Sequence, residues 1–144
     1  MKTRDYKIIV GLYLRGDDLD PVFVSEKLGV SPSRSQYKGE RKVTSTNCEY
    51  IAKIGMWALI EESDTSDTSV LSVHIDQLAS KVGMGGITFR DIEGVQEAYV
   101  DVFIAADADE DGEGTYEFQL NGQNVTVLHQ LGLPVRFTVA ILTP

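Results

Sequence analysis

The sequence predicts an α+β fold, a single mostly antiparallel sheet with its helices packed on one face, on three observations. Apolar residues alternate at period two in KIIVGLYLRG, VQEAYVDVFIAA and PVRFTVAIL. Helix start and stop residues bracket the segments between them. The order strand, helix, strand, helix, hairpin, helix, strand then favours antiparallel neighbours over a regular parallel βαβ array. With 144 residues and 42% hydrophobic content, the chain fits a single domain over 1–144 with one core.

In the first run, Ile8, Val10, Leu12 and Leu14 share one face while Lys7, Gly11, Tyr13 and Arg15 share the other, which predicts a half-buried strand. Asp20 then offers a cap, Pro21 suits a first helical position because its missing N–H would be unpaired anyway, and Gly29 suits the stop. SPSRSQYKGERKVTSTNCEY carries Arg34, Lys38, Arg41 and Lys42 without periodicity and reads as a long loop with room for an irregular strand. IGMWALIEE reads as a strand whose end turns acidic at Glu61, Glu62, Asp64 and Asp67. Leu71, Ile75, Leu78 and Val82 follow at helical spacing, with Asp67, Thr68 or Ser69 to cap and Gly83, Gly85 and Gly86 to terminate.

Ala98, Val100, Val102 and Ile104 share one strand face, and Tyr116, Phe118 and Leu120 another, so these runs are expected to form a hairpin with DADEDGEG at its tip. NVTVLHQLG predicts a short helix closed by Gly132, although Val125, Thr126 and Val127 are weak helix formers. Val135, Phe137, Val139 and Ile141 align in the last strand, a candidate sheet edge able to pair with another chain. Oligomeric state is left open by the sequence.

Thirteen Lys and Arg against twenty-two Asp and Glu give a net charge of -9, which repels phosphate backbones and anionic lipid and favours encounter with cationic proteins. Direct nucleic-acid or membrane binding is not expected. Cys48 is the only cysteine, so the chain forms no internal disulfide and no thiolate zinc site. MKTRDYKIIVG lacks the apolar core and cleavage site of a signal peptide, and no apolar stretch reaches membrane-spanning length, which predicts a cytoplasmic protein.

Candidate chemistry is sparse. Asp107, Asp109, Asp111 and Gly112 match the opening of a calcium loop, but Phe118 stands where its bidentate Glu is required and strands flank it, so no metal is expected. His74 and His129 form no ligand-spaced pair, and His74 lies beside the apolar stripe of its helix, a structural position. Cys48 has Arg41, Lys42 and Lys53 near it in sequence but no histidine to activate it. GMGG lacks phosphate-loop spacing, and no nucleophile elbow or dinucleotide fingerprint occurs. Neither a catalytic residue nor a cofactor is expected. Asp17, Asp18 and Asp20 crowd a helix N-terminus, where Arg34 and Lys38 either pin the following loop or, alternatively, bind a small anionic ligand. Trp57 reads as core.

GDDLDP, LGVSPSRS, KGE and GMWAL, in this order and spacing, resemble the bacterial family known as domain of unknown function 4279 over about the first sixty residues, and the later LHQLGLPVRF is similar in pattern. The resemblance implies a small bacterial protein without established catalytic activity, in a family some of whose members accompany polymorphic or contact-dependent toxins as immunity proteins. ERKVTSTNCEYIAKI and the acidic stretch depart from the family and are where a partner specific to this chain would be read. An inhibitor that covers the basic surface of a nuclease toxin gains association rate and selectivity from an acidic patch. The expected partner is therefore a cognate toxin domain, contacted through Asp107, Asp109, Glu110, Asp111 and Glu113 and through Glu61, Glu62 and Asp64.

Overall fold

The computed structural model describes residues 5–83, 88–108 and 115–142. Its centre is β1 (Tyr6–Gly16), whose buried Ile8, Val10, Leu12 and Leu14 form one continuous face. Both edges of β1 are paired antiparallel: β5 (Gly55–Thr65) runs from Tyr6 opposite Thr65 to Gly16 opposite Gly55, and β6 (Glu97–Asp107) from Tyr6 opposite Ala106 to Arg15 opposite Glu97. β5 and β6 are consequently parallel to each other, and the chain between them, with α2 (Val70–Val82), crosses over β1.

β7 (Val135–Leu142) joins β6 in parallel after the α3 crossover (Gly122–Leu131), and β2 (Arg34–Gln36) covers the start of β5, giving the order β2-β5-β1-β6-β7. α1 (Pro21–Leu28) precedes β2, and the three helices lie on the face of the sheet that carries Trp57. The fold is thus α+β with a mainly antiparallel sheet. Two features go beyond or against the sequence reading. The 31–51 loop contains β2 and a separate two-stranded ribbon, β3 (Arg41–Val43) and β4 (Glu49–Ile51).

The expected hairpin between the 95–106 run and Tyr116–Leu120 is also not formed. Residues 115–120 take no regular structure, because β1 occupies one edge of β6 and β7 the other, leaving no backbone groups free for a third neighbour. Tyr116 and Phe118 instead meet the Tyr6 ring edge-on, with centroids at 6.1 and 5.4 Å.

The helix ends follow their punctuation. The Asp20 side chain accepts from Val22 N at 3.0 Å, Pro21 opens α1, and Gly29 closes it at φ 71°. In α3 a capping box, with Asn121 and Asn124 each accepting from the other's backbone N–H, offsets the weak propensity of Val125 to Val127. α2 buries Leu71, Ile75, Leu78 and Val82, and Gly83 follows its last turn; Gly85 and Gly86 lie outside the described residues.

At the start of α2, Ser69 gives both its backbone N–H and its hydroxyl to the Asp67 carboxylate, at 2.9 and 2.7 Å. These donors hold the Asp67 pKa below the ordinary 3.8. A depressed folded pKa contributes stability that is full above 3.8 and is lost as pH falls through the lower folded value. Asp67→Asn is therefore expected to flatten the acid limb of the stability curve. An NMR titration that placed Asp67 at or above 3.8 would contradict the bonding described.

Among the described residues no helix covers the opposite face of the sheet, but that face is not bare. The Tyr13 and Tyr99 rings stack at 5.3 Å and 11°, and the Arg136 guanidinium sits 3.7 Å from the Tyr99 centroid. Gly11 leaves room for this, since a Cβ there would stand 2.6 Å from Tyr13 Cε2. Burial and the nearby Asp101 carboxylate raise the Tyr13 pKa.

Candidate functional site

Strand alternation decides where the predicted acidic residues point. Glu61 and Ser63 fall on the helix face with Trp57 and Leu59, whereas Glu62 and Asp64 fall on the open face. Glu61 is paired with Lys81 of α2, and Lys7 meets Glu62 at 3.0 Å. The Glu62 carboxylate raises the Lys7 pKa and keeps that ammonium engaged. The Glu61, Glu62 and Asp64 cluster is therefore divided between two faces, and only Asp64 remains without an ion pair among the described residues.

The register of β1 then does what the sequence order does not show. Tyr6 faces both Thr65 and Ala106, so the ends of β5 and β6 flank the start of β1 and the two acidic regions meet at one end of the sheet. A cleft of about 730 Å³ lies there, lined by Asp5, Lys7, Asp64, Thr65, Asp107 and Leu142 among others. Three carboxylates face one ammonium that Glu62 already holds. Asp107 is fixed through its backbone, which donates to Asp5 O at 3.4 Å and accepts from the Tyr116 hydroxyl. Asp109 is two residues beyond Asp107 in sequence; Asp109, Glu110, Asp111 and Glu113 lie outside the described residues. Asp5 and Lys7 were not singled out from the sequence. The signal available was their place at the start of the central strand, but it has meaning only once the strand order is known.

The remaining candidates have other occupations. Lys38 reaches Asp17 at 3.3 Å, which pins the loop after α1, and the Tyr37 hydroxyl donates to Asp20 at 2.9 Å in the same tie. Arg34 stands in β2 opposite Ala58, with its charge felt by Tyr13 on the open face. The two cations thus have separate neighbours. His74 is 7% exposed, its Nε2 2.9 Å from Ser63 Oγ and its Nδ1 3.3 Å from Gln77 Oε1. With Nδ1 donating to the amide oxygen, Nε2 accepts from Ser63, which ties α2 to β5. Cys48 is exposed in the β3–β4 turn.

Arg34, Lys38 and Lys42 belong to the segment that pairs with the start of β5, but Lys38 meets Asp17 at 3.3 Å and Lys42 meets Glu40 at 3.0 Å, so that end of the sheet carries both signs. Among the described residues no helix is long and apolar enough to cross a membrane. No family model, curated protein or solved structure matches this chain.

Proposed function

We propose that this chain is an immunity protein, which binds a cognate bacterial toxin domain in the cytoplasm and neutralises it by covering a basic surface, without making or breaking bonds itself. The carrying observation is the convergence of Asp5, Asp64 and Asp107 in one cleft; the acidic 109–113 stretch begins two residues after Asp107 in sequence. Convergent carboxylates with a single engaged counter-charge favour a cationic protein surface over a phosphate backbone. The toxin enters through the family resemblance of the first sixty or so residues; the cleft supports the sign and place of the contact.

The test is association kinetics with a basic toxin domain, sought first among the reading frames adjoining this gene, measured at two ionic strengths. Changing Asp109, Glu110 and Asp111 together to Ser, or Asp64 and Asp107 together to Asn, is expected to lower the association rate about tenfold at low salt and to reduce its salt dependence. Circular dichroism is expected to be unchanged. Identical rates for both variants and the parent would remove this end of the sheet as the contact.

A further inference from the structure

We infer that β7 is a homodimer edge: two copies pair their β7 strands antiparallel about a two-fold axis at Val139, making one continuous sheet. Among the described residues β7 is the last strand of the sheet, and the backbone groups along its outer side have no strand partner among them. Phe137, Val139, Ile141 and Leu142 are 53, 53, 44 and 51% exposed on it, although Phe137, Val139 and Ile141 share the face of the buried Val102 and Ile104. α2 packs over β1 and β5, and α3 packs on α2, so the core face extends past its helical cover at β7.

The opposite edge is protected in the usual ways. β2 is three residues long, and the rest of the β5 edge carries Glu61, Glu62 and Asp64. β7 has neither device. Its one charge, Arg136, is neutralised by Glu97 inside the sheet, and neither Pro nor a bulge interrupts its eight residues.

A second copy suits this edge because the strand is self-complementary. An axis at Val139 sets Val139 against itself and Phe137 against Ile141 of the other copy, all on the apolar face, with Thr138 against Ala140 behind them. The antiparallel arrangement also keeps the acidic clefts apart. Each copy's Leu142, beside its cleft, lies about 20 Å from its counterpart, beyond the roughly 8 Å screening length at physiological salt, so the -9 charges oppose pairing weakly. One eight-residue strand from each copy makes a contact smaller than the roughly 1,200 Å² at the low end of specific interfaces, so the association is expected to be reversible, in the micromolar range or weaker.

The full chain is tested by sedimentation velocity between about 1 and 300 μM, a range set to bracket a micromolar equilibrium. A monomer–dimer equilibrium is expected, and Val139→Lys, which sets two ammonium groups against each other at the axis, is expected to keep the circular dichroism spectrum and remain monomeric. Register is read by cross-linking in a Cys48→Ser background under mild oxidant. Val139→Cys is expected to form a symmetric disulfide, because facing strand residues lie about 5 Å apart. Phe137→Cys is expected not to, because its counterpart lies about 14 Å away. The Cys pair keeps the inference testable if the Lys variant fails to fold. A monomer at every concentration, or equal cross-linking at both positions, overturns it. So does protection of β7 amides from hydrogen exchange only on adding the toxin domain, which would make the edge a site for a different chain.

Discussion

Gly16→Ala is expected to lower the melting temperature by roughly 10 °C, a loss of about 3 kcal/mol, at the upper end of overpacking costs. A Cβ at this position would stand 1.9 Å from Gly94 O and 3.2 Å from Gln96 N, so the first carbon beyond the backbone meets another backbone. No rotamer change can relieve that contact. The neighbourhood is tight on two further sides, since a Cβ on Gly55 would lie 2.6 Å from Gly16 O and one on Gly94 2.8 Å from Asp18 O. Gly94 is also held at φ 90°, which resists substitution for conformational reasons. The segment after the 3-10 turn at Phe89–Asp91 is seated on the end of the sheet by Gln96 N donating to Arg15 O at 2.8 Å. Gly122→Ala is the control: nothing lies within 4 Å of its Cβ, and alanine favours the helix it begins, so it is expected to be neutral or mildly stabilising. Thermal melts of the two variants give the comparison, and a Gly16→Ala melting point within about 2 °C of the parent would refute the crossing as described.

Asn124→Ala is expected to cost about 3 kcal/mol by chemical denaturation, from the number of buried groups it strands. The Asn124 side chain is fully buried and uses every valence of its amide. Its oxygen accepts from Ser72 Oγ at 2.8 Å and Asn121 N at 3.0 Å, and its nitrogen donates to Ser72 O at 3.2 Å and Asp76 Oδ1 at 2.8 Å. Three of these bonds tie α2 to α3, and the fourth, from Asn121 N, is one half of the α3 cap. Asn124→Asp keeps both acceptors but removes both donors and sets a second carboxylate against Asp76. That variant is expected to be least stable at neutral pH and to recover as the pH falls and the new carboxyl is protonated. Equal stability of parent and Asn124→Ala in urea would show that the link is not carrying the α2–α3 packing.

Much of the architecture was readable residue by residue. The faces of β1, β6 and β7, the Asp20–Pro21–Gly29 frame of α1 and the stripe of α2 follow from period and capping chemistry, which act within a few residues. α3 was legible from Gly132, while the box that starts it needed Asn121 and Asn124 seen together. The hairpin expectation failed because alternation in 116–120 reports a side-chain pattern and says nothing about whether a strand edge is free to receive it. The acidic site was half legible. Asp64 and Asp107 were identifiable as acidic candidates, but Glu61 and Glu62 were grouped with Asp64 although alternate residues of a strand face opposite ways.

The sequence by itself determined the local elements, the apolar faces that had to be buried, and the excess of negative charge. Only the tertiary structure decided that Asp5, Asp64 and Asp107 share a cleft and that β7 ends the sheet. The physical reason is that periodicity and capping are set by near neighbours along the chain. Strand order and register are set by competition among all strands for backbone partners, and here β1 and β7 hold the two edges of β6, so no local hairpin strand is accommodated there.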